Sequence, residues 1–208
     1  MGMRAYADTD LTELVTLESD FNNPDEEDDL DGDSGEVAKK FLFVAIEQTE
    51  LDEDIPADHE DSIVISLVAA RFANTEIPLI RIGDEKFLIT ADFGTKNPTV
   101  TSAFHGTSKA AHSAGDPVYL CYDAQSVQVV CEDNEGTDEA GWCVYCLAPD
   151  DTPDEEYNEH PDPLSLGNIA FNEKVEIERK LTVPASTAPT DKRDLLHKVN
   201  ANLVECEI

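Results

Sequence analysis

The chain has 208 residues, of which 46 are acidic and 14 are Lys or Arg, so its formal net charge is −32 at pH 7. This charge excludes nucleic-acid binding through phosphate contacts and disfavours attachment to an anionic membrane surface. A hydrophobic content of 40% supports a folded core, and the length allows one ordinary domain or two small ones. No apolar run is long enough to span a bilayer, and the first residues show no secretory signal.

The acidic residues are concentrated in two segments. Residues 1–62 hold 21 acidic and three basic residues, and residues 132–163 hold 12 acidic residues and no basic one. Residues 63–131 are nearly neutral, with six acidic and five basic residues. We expect the acidic segments to face solvent and the near-neutral segment to contact neighbouring subunits. The acid-rich composition with only nine lysines predicts a halophilic source, because carboxylates retain water and cations in molar salt.

Residues 1–40 predict an acidic arm. Residues 11–17 can form a short helix or strand, and the run NNPDEEDDLDGDSGE at 22–36 is too charged to pack in a core. We expect this arm to lie over a neighbouring subunit or to project into solvent.

Three aspartates in this arm, Asp29, Asp31 and Asp33, resemble the opening of an EF-hand calcium loop. Ser34 stands where the loop requires glycine, and Lys40 stands where it requires a bidentate glutamate. A loose cation site and a hydrated acidic loop are therefore the two alternatives.

Residues 41–183 predict a β-sandwich or barrel, because many short apolar or alternating runs are separated by turn residues. Two hairpins are expected, one at Gly83-Asp84 and one at residues 123–125. The strands are expected at 41–46, 62–68, 77–82, 86–90, 98–101, 117–122, 126–131, 141–147 and 175–183.

Residues 184–208 predict a linker followed by a short C-terminal helix and strand. The linker is PASTAP, the helix covers 191–199 with Thr190 as its N-cap, and the strand covers 202–208. The fold class is therefore mainly β, with an acidic arm before the core and a helix and strand after it.

Residues 61–119 contain three short motifs in order: DSIVIS from Asp61, IRIGDE ending at Glu85, and TVTSAFHGTSKAAH ending at His112. They resemble a module common in the structural proteins of tailed phages, which typically runs D-t-I-x-V, i-x-I-G-x-E and V-T-R-G-x-x-G-T-x-A-A-x-H. The chain departs from it at Ser102 and Ala103, which replace the Arg-Gly pair. The resemblance implies a β-rich virion component of the tail, neck or head surface, and it does not imply catalysis.

A second, shorter similarity covers residues 118–148, where a strand, a turn and the run AGWCVYCLA follow one another. This pattern is similar to that of phage head-decoration proteins. It favours the head surface over the tail.

The motif residues also have a structural interpretation. We expect Glu85 to accept hydrogen bonds from the backbone of the preceding turn and His112 to bond to a carbonyl group. Gly106-Thr107 is expected to form a turn, residues 108–112 are expected to form one helical turn, and Gly115 is expected to end it.

Five cysteines leave three alternatives open. Cys143 and Cys146 have zinc-knuckle spacing, and Cys121 with Cys131 could complete a four-cysteine site. Against this, residues three apart on a strand point to opposite faces. A disulfide between Cys121 and Cys131, or a set of buried thiols that also includes Cys206, are the other two alternatives.

No catalytic motif is present, and the histidines at 59, 105, 112, 160 and 197 show no metal-binding spacing. We therefore expect a non-enzymatic capsid decoration or vertex protein without a cofactor, assembled in the host cytoplasm and located in the virion. Its expected partners are major capsid or tail proteins and copies of itself, and neither nucleic acid nor membrane is expected. The alternatives are a tail, neck or baseplate component, a halophilic extracellular adhesin or binding module, and a small metal-dependent enzyme if the cysteines converge on zinc.

Overall fold

A computed structural model describes residues 3–11, 14–15, 17–18, 37–133, 142–147, 157–159, 161–182 and 195–206. The described residues form 15 strands and include a short 3-10 turn at Phe104–Gly106. The prediction of a mainly β protein is confirmed. All strand pairs are antiparallel, and no sheet among the described residues closes into a barrel, so the fold is of the sandwich type.

The strands follow the chain in this order: β1 (Met3–Tyr6), β2 (Leu14–Val15), β3 (Leu17–Glu18), β4 (Val37–Ile46), β5 (Gln48–Glu50), β6 (Ser62–Val64), β7 (Leu79–Ile82), β8 (Glu85–Ala91), β9 (Thr99–Thr101), β10 (Pro117–Leu120), β11 (Tyr122–Asp133), β12 (Cys143–Leu147), β13 (Leu164–Ile169), β14 (Lys174–Thr182) and β15 (Leu195–Glu205).

Three sheets pack around one core. The five-stranded sheet has the order β12-β14-β4-β1-β2, the six-stranded sheet has the order β5-β10-β7-β8-β9-β6, and the four-stranded sheet has the order β13-β11-β15-β3. Leu42, Phe87 and Val127, one from each sheet, are fully buried and belong to the same apolar cluster. Burial of such side chains is the main favourable term in the stability of this fold.

The hairpin at Gly83-Asp84 is confirmed. Ile82 pairs with Glu85 across a two-residue loop, and Gly83 has a positive φ of 56°. A glycine with positive φ at the first loop position suits the type II′ turn, whose twist matches that of the flanking strands.

The second predicted hairpin is wrong. The chain continues as a single strand, β11, through residues 123–125, and Ser126 forms an irregularity with a φ of 53°. β10 lies in the six-stranded sheet and β11 in the four-stranded sheet, so the chain crosses between sheets at Cys121. The expected helical turn at 108–112 is also wrong, since His112 instead forms an isolated bridge with Ile55.

Both ends of the chain depart from the prediction. Met3–Tyr6 is not part of an arm, because it pairs with β4 inside the five-stranded sheet. The helix predicted over 191–199 is wrong from residue 195 onward, where β15 pairs with β11 over ten residue pairs. Residues 19–36, with Asp29, Asp31 and Asp33, lie outside the described residues, so the arm and its cation loop stay predictions.

Across the part of the chain that the structure describes, no helix has the length and apolar character needed to cross a membrane.

Candidate functional site

Residues of the second and third motifs meet around one buried carboxylate, that of Glu85 at the start of β8. Its side chain has no exposed surface. Oε1 accepts a hydrogen bond from the backbone amide of Ala103 at 3.0 Å, and Oε2 accepts one from that of Ala110 at 2.9 Å. The carboxylate therefore holds both ends of the loop between these two residues.

Two buried histidines complete the surroundings of this carboxylate. His59 Nε2 lies 3.2 Å from Oε1 of Glu85, and His112 Nε2 lies 3.0 Å from Oε2. Nδ1 of His59 faces the carbonyl oxygen of Pro56 at 2.7 Å, so both of its ring nitrogens face acceptors. We call Glu85, His59, His112 and the amides of Ala103 and Ala110 the Glu85 hub.

The hydrogen-bond partners predicted for Glu85 and His112 differ from those in the structure. Glu85 accepts hydrogen bonds from the 103–110 loop, and His112 bonds to the Glu85 carboxylate. No role is predicted for His59 from its place in the sequence. The sequence does not indicate this contact, because His59 lies 26 residues before Glu85 and only the fold brings the two side chains together.

The two departures from the phage pattern have distinct structural roles. The Ser102 hydroxyl donates to the carbonyl oxygens of Glu60 and Asp61, at 3.2 and 3.3 Å, so it ties the loop to the first motif. Ala103 has a φ of 49° and a ψ of 37°, a left-handed conformation that disfavours any residue except glycine. Glycine would suit this position better than alanine does.

The threonine of the Gly-Thr pair joins the loop to β8. Thr107 Oγ1 accepts a hydrogen bond from the amide of Lys86 at 3.1 Å and donates one to the carbonyl of Phe104 at 3.1 Å. The 3-10 turn, the loop and the start of β8 are thus one hydrogen-bonded unit.

Beside this unit, Glu205 and Cys206 are held by a disulfide and three side-chain contacts, which together we call the C-terminal latch. Cys206 forms a disulfide with Cys121, with a Cα–Cα distance of 5.3 Å. The buried ammonium of Lys86 donates to the Cys206 carbonyl at 2.7 Å and to Glu205 at 3.0 Å. His105 Nδ1 lies 2.7 Å from the same Glu205 oxygen.

Glu205 is held in its ionised form by these partners. The hydrogen bond from His105, together with that from Lys86, lowers the pKa of Glu205, although partial burial opposes the shift. In the same way, the hydrogen bond from Lys109 lowers the pKa of the exposed Asp61 carboxyl. Both Glu205 and Asp61 are therefore paired with basic side chains of residues 86–109.

The disulfide corrects the expectations for the cysteines. Cys121 pairs with Cys206, so the Cys121–Cys131 disulfide is wrong, and Cys121 is not available for a four-cysteine zinc site. Cys131, Cys143 and Cys146 are buried and lie outside the disulfide. Cys143 and Cys146 are three residues apart on β12, and side chains three apart on a strand belong to opposite faces.

Cys131 and Cys143 instead meet His197, and their ligand atoms all lie within 4.8 Å of one another. The Tyr145 hydroxyl contacts Nδ1 of His197. Complete burial, followed by the two cysteines, raises the pKa of Tyr145 well above its ordinary value. We call Cys131, Cys143, His197 and Tyr145 the cysteine cluster.

No protein family, curated protein sequence or solved structure was found to match this chain.

Proposed function

We propose that this chain is a non-enzymatic structural protein of a tailed virus that infects a halophilic archaeon. In this proposal it makes protein–protein contacts on the head surface, as a decoration or vertex protein. The observation that carries the proposal is the Glu85 hub with Thr107. Glu85 of the second motif and His112 of the third motif bond directly to each other. This contact supports the interpretation of the motifs as parts of one module.

A structural role is also supported by the way the hub is enclosed. The side chains of Glu85, His59 and His112 are 0%, 3% and 4% exposed. Both oxygens of Glu85 are occupied by amide and imidazole groups. A general base needs to reach a substrate proton, and this carboxylate has its acceptor positions filled by the protein itself.

The outer edge of the six-stranded sheet is the surface we assign to subunit contacts. β6 ends this sheet and pairs with β9 on one side. Val64, the last residue of β6, is 63% exposed. An apolar sheet edge within the near-neutral segment of a highly acidic chain suits the addition of a strand from a neighbouring virion protein.

The disulfide of the C-terminal latch fits this proposal because disulfides persist in oxidising surroundings. A particle that leaves the cytoplasm after assembly spends its functional life in such surroundings. The same observation favours the second candidate, an extracellular adhesin or binding module of a halophile.

Immunogold electron microscopy of infected cultures and purified particles tests the proposal. Label on the particle head is expected. Label on the tail or baseplate would support a virion role but replace the head assignment. Label confined to the cell envelope would favour the adhesin, and label confined to the cytoplasm would overturn both candidates.

The contact surface is tested by light scattering in molar salt with Val64→Glu. The matched control is Val204→Glu on β15, where the valine is 47% exposed. We expect the wild type and the control to form a closed oligomer and Val64→Glu to lose mass. Equal masses for all three proteins would reject β6 as the self-association surface.

A further inference from the structure

We propose that the cysteine cluster is a structural binding site for Zn²⁺, with Cys131, Cys143 and His197 as ligands and the Tyr145 oxygen in the fourth position. This inference does not depend on the proposed virion role. It replaces the four-cysteine site with a set that the sequence spacing did not suggest.

The ligands converge from three strands of two sheets. Cys131 on β11 lies directly opposite His197 on β15 in the four-stranded sheet. Cys143 lies on β12, at the edge of the five-stranded sheet. Tyr145 lies two residues further along β12, and side chains two apart on a strand share a face. The site therefore joins the two sheets.

The donor set matches the chemistry of zinc. Two thiolates and an imidazole are preferred ligands of Zn²⁺, which binds them at about 2.0–2.3 Å in a tetrahedral arrangement. Ligand atoms on one tetrahedral ion lie roughly 3.3–3.8 Å apart. The observed separations of at most 4.8 Å require side-chain adjustments of about an ångström, with no change of strand register.

Burial indicates a structural site. Cys131, Cys143, Tyr145 and His197 are 3%, 2%, 0% and 6% exposed. Catalytic zinc sites keep one position open for water or substrate, whereas structural sites are closed by four protein ligands. The cluster offers four buried protein groups, so an ion here would hold the edge strand β12 against the four-stranded sheet.

β12 provides a matched control for this site. Cys146 is buried, lies outside the disulfide, and is three residues from Cys143, so it belongs to the other face of the strand. Cys143→Ser and Cys146→Ser thus remove the same group from the same strand, and only the first removes a proposed ligand.

The test measures metal content by inductively coupled plasma mass spectrometry after reconstitution of the full chain with ZnCl₂ in molar salt. The wild type and Cys146→Ser are expected to hold about one zinc per chain, and Cys143→Ser and His197→Asn to hold substoichiometric zinc. Tyr145→Phe is expected to bind zinc more weakly in competition with a chelating dye. A chelator should lower the melting temperature of the wild type and of Cys146→Ser.

A second measurement needs no variant and covers the case in which Cys143→Ser fails to fold. Co²⁺ added to the wild type should produce thiolate-to-cobalt charge-transfer absorption and the intense visible bands of a tetrahedral site. Absence of these bands together with absence of bound zinc would overturn the proposal. So would equal zinc contents for the two serine variants, or a Cys131–Cys143 disulfide found by peptide mapping of the native protein.

Discussion

Oε2 of Glu85 lies 3.0 Å from Nε2 of His112, and both side chains are buried. These two residues lie 27 positions apart. Their contact places the second motif against the end of the third. The same carboxylate bonds to the amides of Ala103 and Ala110, so it fixes both ends of the loop between them.

Replacing Glu85 with glutamine should destabilise the protein by about 2–4 kcal/mol, because a neutral amide offers one oxygen acceptor and leaves buried donors without a partner. Urea unfolding in molar salt measures the change. The control is Asp84→Asn in the adjacent turn, where the side chain is 93% exposed and the expected change is below about 0.5 kcal/mol. Equal midpoints for the two variants would contradict the role assigned to the hub.

Replacing Ala103 with glycine should stabilise the protein by roughly 0.5–1 kcal/mol, because relief of the left-handed conformation outweighs the greater chain entropy of glycine. Ala111→Gly is the control. Ala111 is exposed and does not have a positive φ, so glycine there should destabilise by about 0.5–1 kcal/mol. Thermal melts should therefore shift in opposite directions, and a shared downward shift would show that Ala103 is not strained.

The disulfide of the C-terminal latch should contribute about 4.5 kcal/mol, since it closes a loop with a sequence separation of 85 residues. The double variant Cys121→Ser/Cys206→Ser should lose this stability in denaturant unfolding. Peptide mapping of the non-reduced wild type should recover the Cys121–Cys206 link. Recovery of unlinked Cys121 and Cys206 peptides from protein kept in air would contradict this part of the structure.

Glu205 should make the latch weaker in acid. Because its folded pKa is lowered by His105 and Lys86, its stabilising contribution is fully present above the ordinary pKa of a glutamate. The contribution is lost as the pH falls through the lowered folded value. The stability difference between the wild type and Glu205→Gln should shrink on acidification, and Glu76→Gln, at an exposed position, is measured beside it as the control. A difference that stays constant with pH would refute the linkage.

The whole chain should be more stable in molar salt than in dilute buffer. Repulsion among 46 acidic residues is screened when the Debye length falls to about 3 Å at 1 M. Calorimetry across a salt series should show a rising melting temperature. A flat series would remove the support for a halophilic source.

Local sequence patterns were sufficient to predict the elements whose structure depends on residues close together in the chain. The hairpin at Gly83-Asp84 follows from a glycine that tolerates positive φ between two apolar strands. The strand predicted at 41–46 follows from a continuous apolar run inside β4.

Features that depend on distant partners were not predictable in this way. The run from Leu195 is helical by local pattern, yet its ten pairings with β11 make it a strand. Cys121 finds Cys206 rather than the nearer Cys131, because β15 ends beside the point where the chain crosses between sheets. The cysteine cluster cannot be predicted from sequence spacing, because the partners of His197 on β15 come from two other strands, β11 and β12.

The proposed virion role is tested most directly by counting copies of the chain in virus particles purified through a density gradient in molar salt. Quantitative mass spectrometry gives the ratio of this chain to the major capsid protein. We expect a constant ratio across the particle band and across independent preparations. A chain that remains in the soluble fraction, or that accompanies particles at a ratio that falls with each purification step, would contradict the proposed role.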